Sequence, residues 1–431
     1  MAEIGKDFPQ TREARKAKLQ EIRQSGNKIG TVKVPGRGTQ DVFRIPLQYL
    51  SYNPYNTRFL AQSKTLEKTL GRDLRDDDPE DVKQIEEFIW KEKETKNNST
   101  IDSLIKDGQL VPGVVTIDGV VLSGNRRFRL LNEISRNKSK YGSGHANLDG
   151  LGYFEAAIIP EELDKRETIK YESFYQYGAE DKADYDPIQK YIAAHDQKLL
   201  GFEDKEIADN FRNLTGGNPK EVEKWLEVYD LMEEYLDYIG ENGIYTALEG
   251  KEEAFLQLRT VYKSFKNSRG GGVVDWDFDE NDLADLKCRF YDFLRIDLPT
   301  HSFRIFKKAF KSRDDWKKFN AEVEDETEEI DSFVEYRNNY EDLSIDEISR
   351  RRNRDYKDRN AATFGKIYAK LNSTYAEKEV QETPLNISSQ ILQKIKKLSE
   401  ELSQHDDYSE ELIDNIRTIQ QEIGRIKQQI D

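Results

Sequence analysis

The stretch that decides the fold is VVLSGNRRFR, residues 120–129. Its three leading apolar residues are typical of a short buried strand, and Ser123 and Gly124 then supply a turn. Asn125 is a residue type that favours helix starts, so a helix is expected from Asn125 to about residue 135. The stretch therefore predicts a strand, a tight turn and a helix in direct succession.

The turn has the chemistry of an anion site. The first N–H groups of a helix lack acceptors within the helix, and Gly124 lets a phosphate approach without a Cβ in the way. Arg126 and Arg127 add two guanidinium groups that can bind phosphate oxygens. The alternative is that Asn125 only caps the helix and the two arginines are solvated surface charges.

The neighbouring segments alternate between short helices and short strands, which predicts a compact α/β unit over residues 41–170. A charged helical stretch, residues 61–100, is expected as a peripheral insert in this unit. Residues 1–40 carry nine Lys or Arg against four Asp or Glu and are expected to form a basic N-terminal arm.

Three motifs in the unit occur in a fixed order: IPLQYLSYNPYNTR (residues 45–58), LIKDGQLVP (residues 104–112) and GNRRFR (residues 124–129). In this order they resemble the conserved boxes of the ParB N-terminal domain family. The resemblance implies an α/β fold of the ParB/sulfiredoxin type. Asn125 stands where the family usually has Glu, and Leu130 stands where it usually has Ala.

The resemblance also implies a ligand, a nucleoside triphosphate (CTP or ATP) with Mg²⁺. The residues that it assigns to the nucleotide or its phosphates are Ser123, Gly124, Asn125, Arg126, Arg127, Gly108 and Gln109, together with Asn53 and Arg58 of the first motif.

A third family box, E-N-x-Q-R, has a partial counterpart at residues 172–177. Glu172 matches its Glu, whereas Gln176 lies one position late and Tyr177 replaces the Arg. Glu172 and Asp118 are the candidate metal ligands, since Mg²⁺ prefers carboxylate oxygens. The alternative for Glu172 is a solvated side chain in an aromatic linker.

The second half of the chain is expected to be mostly α-helical, and residues 184–240 resemble the helix-turn-helix module that follows the ParB N-terminal domain. Lys220 and Lys224 are the DNA contacts that its second helix offers. Residues 201–240 hold four Lys or Arg against eleven Asp or Glu, however, and this charge repels phosphates.

Two basic islands in the helical domain expected over residues 241–380 are stronger candidates for DNA contact: residues 303–318, with seven cations against two anions, and residues 350–359, with six against two. The cations assigned to DNA are Arg304, Lys307, Lys308, Lys311, Arg350, Arg351, Arg352 and Arg354. In the first island aromatic residues are interleaved with the cations. They can stack on bases, or they can form the core stripe of an amphipathic helix.

The C-terminal residues 385–431 carry apolar residues in alternating steps of three and four, which is heptad spacing. This pattern predicts a helical hairpin or a coiled coil. A coiled coil would make the protein a homo-oligomer, whereas a hairpin would pack within one chain.

Composition limits the remaining classes. The 431 residues contain one cysteine, Cys288, which leaves no internal disulfide and favours a reducing, cytoplasmic location. No stretch has the apolar length of a membrane span. The formal net charge of −16 opposes bulk attraction to nucleic acid, so any DNA binding depends on local charge.

Three functions remain open. The first is a nucleotide- or phosphate-binding protein of the ParB type that binds DNA, with the ligand at residues 124–127 controlling association. The second is an enzyme, a ParB-like nuclease or NTPase with metal-dependent phosphoryl chemistry. The third is a protein-binding scaffold in a bacterial accessory or defence system.

Overall fold

The computed structural model describes residues 9–92, 94–141, 148–178, 186–267, 274, 276–402 and 409–430. Its N-terminal part contains a mixed six-stranded sheet, and helices dominate the part that follows. The broad α+β class predicted from the sequence is confirmed. The strand Val120–Ser123 and the helix Asn125–Arg136 lie where residues 120–129 predict them.

The strands are β1 (Gly30–Val34), β2 (Gly38–Pro46), β3 (Ser51–Tyr52), β4 (Gly113–Thr116), β5 (Val120–Ser123) and β6 (Tyr153–Ile159). Their order across the sheet is β1-β2-β6-β4-β5-β3. β4 runs parallel to β6 and β3 runs parallel to β5, while the other neighbours are antiparallel. Ser51 pairs with Val120, so the first motif enters the sheet beside the strand that leads into the turn at Gly124.

The helices of the N-terminal part are α1 (Arg12–Gln24), α2 (Leu60–Leu70), α3 (Pro79–Glu92), α4 (Glu94–Asp107), α5 (Asn125–Arg136), α6 (Lys138–Tyr141) and α7 (Lys165–Ser173). Those that follow are α8 (Ile188–Leu199), α9 (Asp204–Asn210), α10 (Arg212–Thr215), α11 (Pro219–Tyr238), α12 (Glu252–Lys266), α13 (Glu280–Arg295), α14 (Arg304–Phe310), α15 (Arg313–Glu326), α16 (Phe333–Asn339), α17 (Ile345–Leu402) and α18 (Glu410–Ile430).

Side chains alternate across the strands, so the sheet buries apolar groups on both faces. One face packs against α1, α3, α4 and α5 in a large core that includes Val115, Val121 and Phe154. The other face carries a smaller cluster around Val114 and Leu122, against which Tyr171 of α7 packs. The sheet is thus covered on both sides, and β5 delivers the turn at Gly124 from its buried interior.

Two expectations about the N-terminal part are corrected. Residues 9–40 are not an arm, because β1 belongs to the sheet and Leu19 of α1 lies in the main core. Residues 61–100 are not peripheral either, because α3 and α4 contribute apolar residues such as Ile85 and Ile101 to the same core. Both segments look polar in sequence because their charged residues outnumber the few apolar side chains that they bury.

The helical half has an aromatic core. Phe303, Phe306, Phe310 and Trp316 are each fully buried, which makes the aromatic stripe of the first basic island a packing surface and not a base-stacking one. Upstream, α10 and α11 flank a turn at residues 216–218, where the side chain of Asn218 accepts a hydrogen bond from the Lys220 N–H and caps α11. Residues 273–276, whose sequence VVDW indicates a short strand, fall largely outside the described residues.

The chain divides into two compact units, residues 1–364 and 365–431. The second contains the end of α17 and all of α18. Its apolar positions at Ile391, Ile419, Ile423 and Ile426 are 39–49% exposed, whereas Ile395, Leu398, Leu402, Leu412 and Ile416 are half-buried. Within the described part of the chain, no helix combines the length and apolarity of a membrane span.

A buried arginine attaches α1 to the sheet domain. Arg15 is fully buried, and its guanidinium donates to the carboxylate of Asp76, to the Asp76 carbonyl at 3.2 Å and to the Asp118 carbonyl at 2.9 Å. These bonds tie the helix to the turn between β4 and β5. Removing one partner of a buried ion pair leaves the other charge uncompensated.

We therefore expect Arg15→Met to lower the free energy of unfolding by about 3–5 kcal/mol. The measurement is the urea midpoint, with peptide-level hydrogen exchange of β4 and β5 as the local readout. Arg23→Met, at an exposed position of the same helix, is the matched control and is expected to change little. Equal midpoints for the two variants would contradict the role of Arg15.

Candidate functional site

The turn between β5 and α5 requires glycine for two reasons. Gly124 has φ 98° and ψ 20°, a left-handed conformation that other residues adopt at a cost. A Cβ at this position would also lie 2.9 Å from the Phe154 ring and 3.0 Å from Nη2 of Arg127. The Arg127 guanidinium thus lies directly over the turn, at the positive end of the α5 dipole.

Asn125 has a structural role and does not face a ligand. Its side chain is buried, with Nδ2 donating to the Val121 carbonyl at 2.8 Å and Oδ1 accepting from the Asn53 N–H at 3.3 Å. Both ends of the amide are therefore used inside the protein. The Asn125 side chain thus joins the first motif to the start of α5 and is not directed at phosphate, whereas phosphate binding by the backbone N–H of Asn125 stays a prediction.

Glu172 of α7 also hydrogen-bonds to the first motif, which Asn125 contacts from α5. It is fully buried, and its carboxylate accepts hydrogen bonds from Nδ2 of Asn53 at 3.0 Å and from the Thr57 N–H at 3.3 Å. Burial raises the pKa of Glu172 to about 7, against the opposing effects of Gln176, Asn53 and Arg58. The solvated linker residue considered from sequence is thus a buried bridge between α7 and residues 53–57.

Gln176 is a site residue that the sequence reading passed over because of its spacing. The α7 helix is followed by a π-helical turn at Phe174–Gly178. Gln176 lies within this turn. Gln176 Oε1 accepts a hydrogen bond from Nε of Arg58 at 3.0 Å.

Three arginines, Arg58, Arg126 and Arg127, form what we call the arginine cluster. Burial and, to a smaller extent, the positive charge of Arg58 together lower the pKa of Arg127 to about 10. Burial also lowers the pKa of Arg126, where Glu92 opposes the shift and Arg58 adds to it. Each of these arginines therefore lies partly desolvated and within electrostatic reach of another cation, an arrangement suited to an anion.

The arginine cluster has neutral and charged protein contacts. Nη2 of Arg126 lies 3.1 Å from Oδ1 of Asn97, and Arg127 donates to the Val111 carbonyl. Arg58 forms an ion pair with Glu92 at 3.7 Å. Arg127 makes no ion pair among the described residues, so its charge is one that an anion could compensate.

The loop at Gly108 and Gln109 reaches the cluster indirectly. Gly108 has φ 71° and follows the last residue of α4. Gln109 bonds with the backbone of Glu155, to its carbonyl at 2.6 Å and from its N–H at 3.0 Å, so it fastens the loop to β6. The loop then presents the Val111 carbonyl to Arg127. Ser123, the last residue of β5, is buried beside the turn.

The two candidate metal ligands have protein partners. Oδ2 of Asp118 lies 2.7 Å from Nε of Arg12, whereas Glu172 binds Asn53 and Thr57, so the two carboxylates share none of the partners described here. Among the described residues, no group of three or more His, Cys, Asp or Glu is arranged to hold a metal ion.

The candidate DNA contacts have different surroundings. Lys220 is exposed, and Lys224 is exposed but lies 2.6 Å from the carboxylate of Glu221. In the basic islands Arg304, Lys311, Arg350, Arg351 and Arg354 are exposed, while Lys307 and Lys308 are half-buried.

Arg352 requires a correction, because it is buried and cannot face DNA. Its guanidinium lies 3.0 Å from Glu241 and donates to the Ile239 carbonyl at 2.6 Å. No local pattern indicates this burial, since both partners of its Nη1 lie more than a hundred positions away and the Asp331 carbonyl, which accepts from its Nε at 3.0 Å, lies 21 positions away.

The raised pKa of Glu172 predicts a pH dependence of stability. The folded protein keeps a proton up to about pH 7, which an ordinary Glu releases near 4.5. Since the folded state binds more protons than the unfolded state in this interval, the free energy of unfolding falls as the pH rises, by on the order of 3 kcal/mol. In Glu172→Gln this decline between about pH 5 and 7.5 is expected to flatten.

Urea unfolding at a series of pH values measures this effect. Glu167→Gln, on the exposed side of α7, is the control and is expected to keep the parent slope. An unchanged slope in Glu172→Gln would show that Glu172 does not titrate in this range.

No protein-family model, no curated protein and no solved structure matches this chain. The site is therefore defined by its own geometry. Asn53 bonds to Asn125 and to Glu172, Arg58 bonds to Gln176, and the positive charges of Arg126 and Arg127 lie within reach of Arg58. Three separate segments of the chain are thus assembled around an electropositive corner of the sheet domain.

Proposed function

We propose that this protein binds the phosphates of a nucleotide, CTP or ATP, at the arginine cluster. The observation that carries the proposal is the convergence of Arg58, Arg126 and Arg127 beside the N-terminus of α5, where Arg127 lies over Gly124 and makes no ion pair among the described residues. Holding like charges together in partly desolvated positions destabilises the ligand-free protein. A phosphate chain removes that repulsion and accepts hydrogen bonds from the guanidinium groups.

A neighbouring cavity offers room for the nucleoside. It has a volume of about 580 Å³, and Arg58, Gln62, Phe88 and Glu92 are among its lining residues. Both carboxylate oxygens of Glu92 and Oε1 of Gln62 are buried and have no hydrogen-bond partner within the described part of the chain. Cytosine and adenine each carry an exocyclic amino group that donates to such acceptors. These acceptors favour CTP or ATP over UTP.

We propose that the protein binds the nucleotide, and we do not propose that it is an enzyme. Glu172 is fully buried and Asp118 is paired with Arg12, so either carboxylate would have to leave its protein partners to reach a metal. Magnesium would enter with the phosphates of the nucleotide, which supply the oxygen ligands that it prefers. No contact of the described residues favours the nuclease or NTPase alternative over simple binding.

The proposal includes a ParB-like organisation of the chain. It is supported by the way the three motifs and the partial third box meet around Asn53 and Arg58. It is also supported by α9 and α11, which are joined through the short α10 and the turn at residues 216–218 in an order similar to that of a helix-turn-helix module.

We propose that DNA contacts the basic islands and not α11. The exposed cations Arg304, Lys311, Arg350, Arg351 and Arg354 can meet phosphates, but the aromatic residues between the cations of the first island are buried. Contacts of this kind hold the nucleic acid backbone without reading its sequence, and they weaken steeply with salt.

Association of two chains through α18 completes the proposal. The apolar stripe at Ile419, Ile423 and Ile426 is 39–49% exposed in the single chain. Heptad positions bury such side chains when a second helix packs against them. The open stripe favours a coiled coil over a hairpin that is fully packed within the chain.

The nucleotide is tested by thermal unfolding of the full chain with each nucleoside di- and triphosphate, with and without Mg²⁺ and duplex DNA. At a hundredfold excess over its dissociation constant, a bound nucleotide stabilises the protein by about 2.7 kcal/mol. In Arg127→Gln we expect this stabilisation to be lost while the ligand-free protein is as stable as the parent or more so, because one of the repelling charges is gone.

Arg44→Gln is the matched control, since the Arg44 side chain lies on β2 and is 61% exposed. It should keep the full response to nucleotide. The proposal fails if no nucleoside triphosphate stabilises the parent protein, or if Arg127→Gln responds as the parent does.

The role of α18 is tested by sedimentation equilibrium of the double variant Ile419→Asp and Ile426→Asp. We expect the parent to sediment at twice the chain mass of 50.3 kDa and the variant at the chain mass. The control is Gln421→Asp with Gln428→Asp, on exposed polar positions of the same helix. A monomeric parent at tens of micromolar would contradict association through this stripe.

A further inference from the structure

A second cavity lies in the helical half and shares no lining residue with the arginine cluster. Its volume is about 490 Å³, within the size range of small-molecule sites. Its most enclosed lining residues, which we call the floor, include Arg289, whose side chain is 11% exposed, and the buried residues Asp292, Arg295, Arg352 and Tyr356. The floor combines helices α13 and α17 and is rich in guanidinium groups.

Two of the three floor arginines are paired with carboxylates. Arg352 lies 3.0 Å from Glu241, and Arg289 lies 3.1 Å from Asp292. Oδ1 of Asp292 also accepts hydrogen bonds from the hydroxyl groups of Tyr238 at 2.7 Å and Tyr356 at 3.2 Å. Glu241 is therefore committed to Arg352, whereas Oδ2 of Asp292 is buried without a hydrogen-bond partner among the described residues and is paired with Arg289 by charge alone.

Arg295 is different, because it is a buried cation without an ion pair. It is 8% exposed, its Nε donates to Oδ1 of Asn353 at 2.9 Å, and its guanidinium lies 3.9 Å from the ring centre of Tyr356. Its Nη2 is buried and has no hydrogen-bond partner among the described residues, and Glu241 acts on it only from beyond ion-pair distance. Nε of Arg289, on the same floor, also lacks a partner. Buried charges are normally paired, so this floor lacks one negative charge.

The rim of the cavity is negatively charged, in contrast to the arginine-rich floor. Its exposed lining residues include Asp237, Glu324 and Glu329. A polyanion such as a nucleoside triphosphate would be repelled by these three carboxylates on its way in. A ligand that carries one carboxylate inward and one ammonium group outward matches both the floor and the rim.

We propose that this cavity binds a small zwitterion, a free amino acid, with its carboxylate on Nη2 of Arg295 and Nε of Arg289 and its ammonium group facing the acidic rim. The bond to Arg295 supplies the missing counter-charge of the floor. The rim selects against ligands that carry negative charge only. This site is independent of the proposed nucleotide site, because the two share no residue.

The test is isothermal titration of the full chain with each of the common amino acids, with acetate, inorganic phosphate and ethylamine as single-charge comparators. We expect saturable binding of at least one amino acid and none of the comparators. Arg295→Gln can keep the bond to Asn353 but loses the charge, so its affinity should fall about tenfold or more. Arg127→Gln, in the arginine cluster, should bind the amino acid as the parent does.

A second variant, on the exposed rim, tests the proposal without changing the buried floor, so that a failure to fold cannot explain its result. Glu324→Gln with Glu329→Gln changes only exposed side chains, and we expect it to weaken the amino acid severalfold. Any of three results would overturn the proposal: no amino acid binds the parent, acetate or phosphate binds as tightly as the amino acid, or both the floor and the rim variants bind with parental affinity.

Discussion

The arrangement of the sheet domain depends on Asn53. This residue is fully buried, its N–H donates to Asn125, its Nδ2 donates to Glu172, and its Oδ1 accepts from the Tyr55 N–H at 3.0 Å. A buried amide has to satisfy its donors and acceptors within the protein. The end of β3, the start of α5 and the end of α7 are therefore fixed relative to one another, and the positions of the clustered arginines follow.

The arginines of this chain differ in whether the fold supplies their counter-charge. Arg15 and Arg352 are buried with carboxylate partners, so they hold segments together. Arg127 and Arg295 are desolvated without an ion pair among the described residues, and burial lowers the pKa of each. A buried charge that the fold leaves uncompensated destabilises the protein unless a ligand compensates it, and such departures from consistent packing occur at functional sites.

Much of the local structure followed from the sequence. The strand, turn and helix over residues 120–136 were predictable because Gly124 and the apolar run specify them within a few positions. The burial of Arg352 was not, since a run of cations gives no local sign of Glu241, which is distant in sequence. The burial of Asn125 was missed for the same reason, because its second partner is in the first motif. Contacts between distant segments limited the prediction, while local propensity did not.

The π-helical turn at Phe174–Gly178 also connects the arginine cluster with the helices α9 to α11 through side-chain contacts. Its Gln176 touches Arg58, and the ring of the adjacent Tyr177 stacks on Phe211 at 4.7 Å, which in turn packs edge-on against Trp225 of α11 at 5.4 Å. Successive residues of a helix point about 100° apart. Unwinding this turn by one residue would thus rotate Tyr177 away from Phe211. The extra residue of the π-helical turn therefore sets the rotation of Gln176, which binds the arginine cluster, relative to Tyr177, which packs against Phe211.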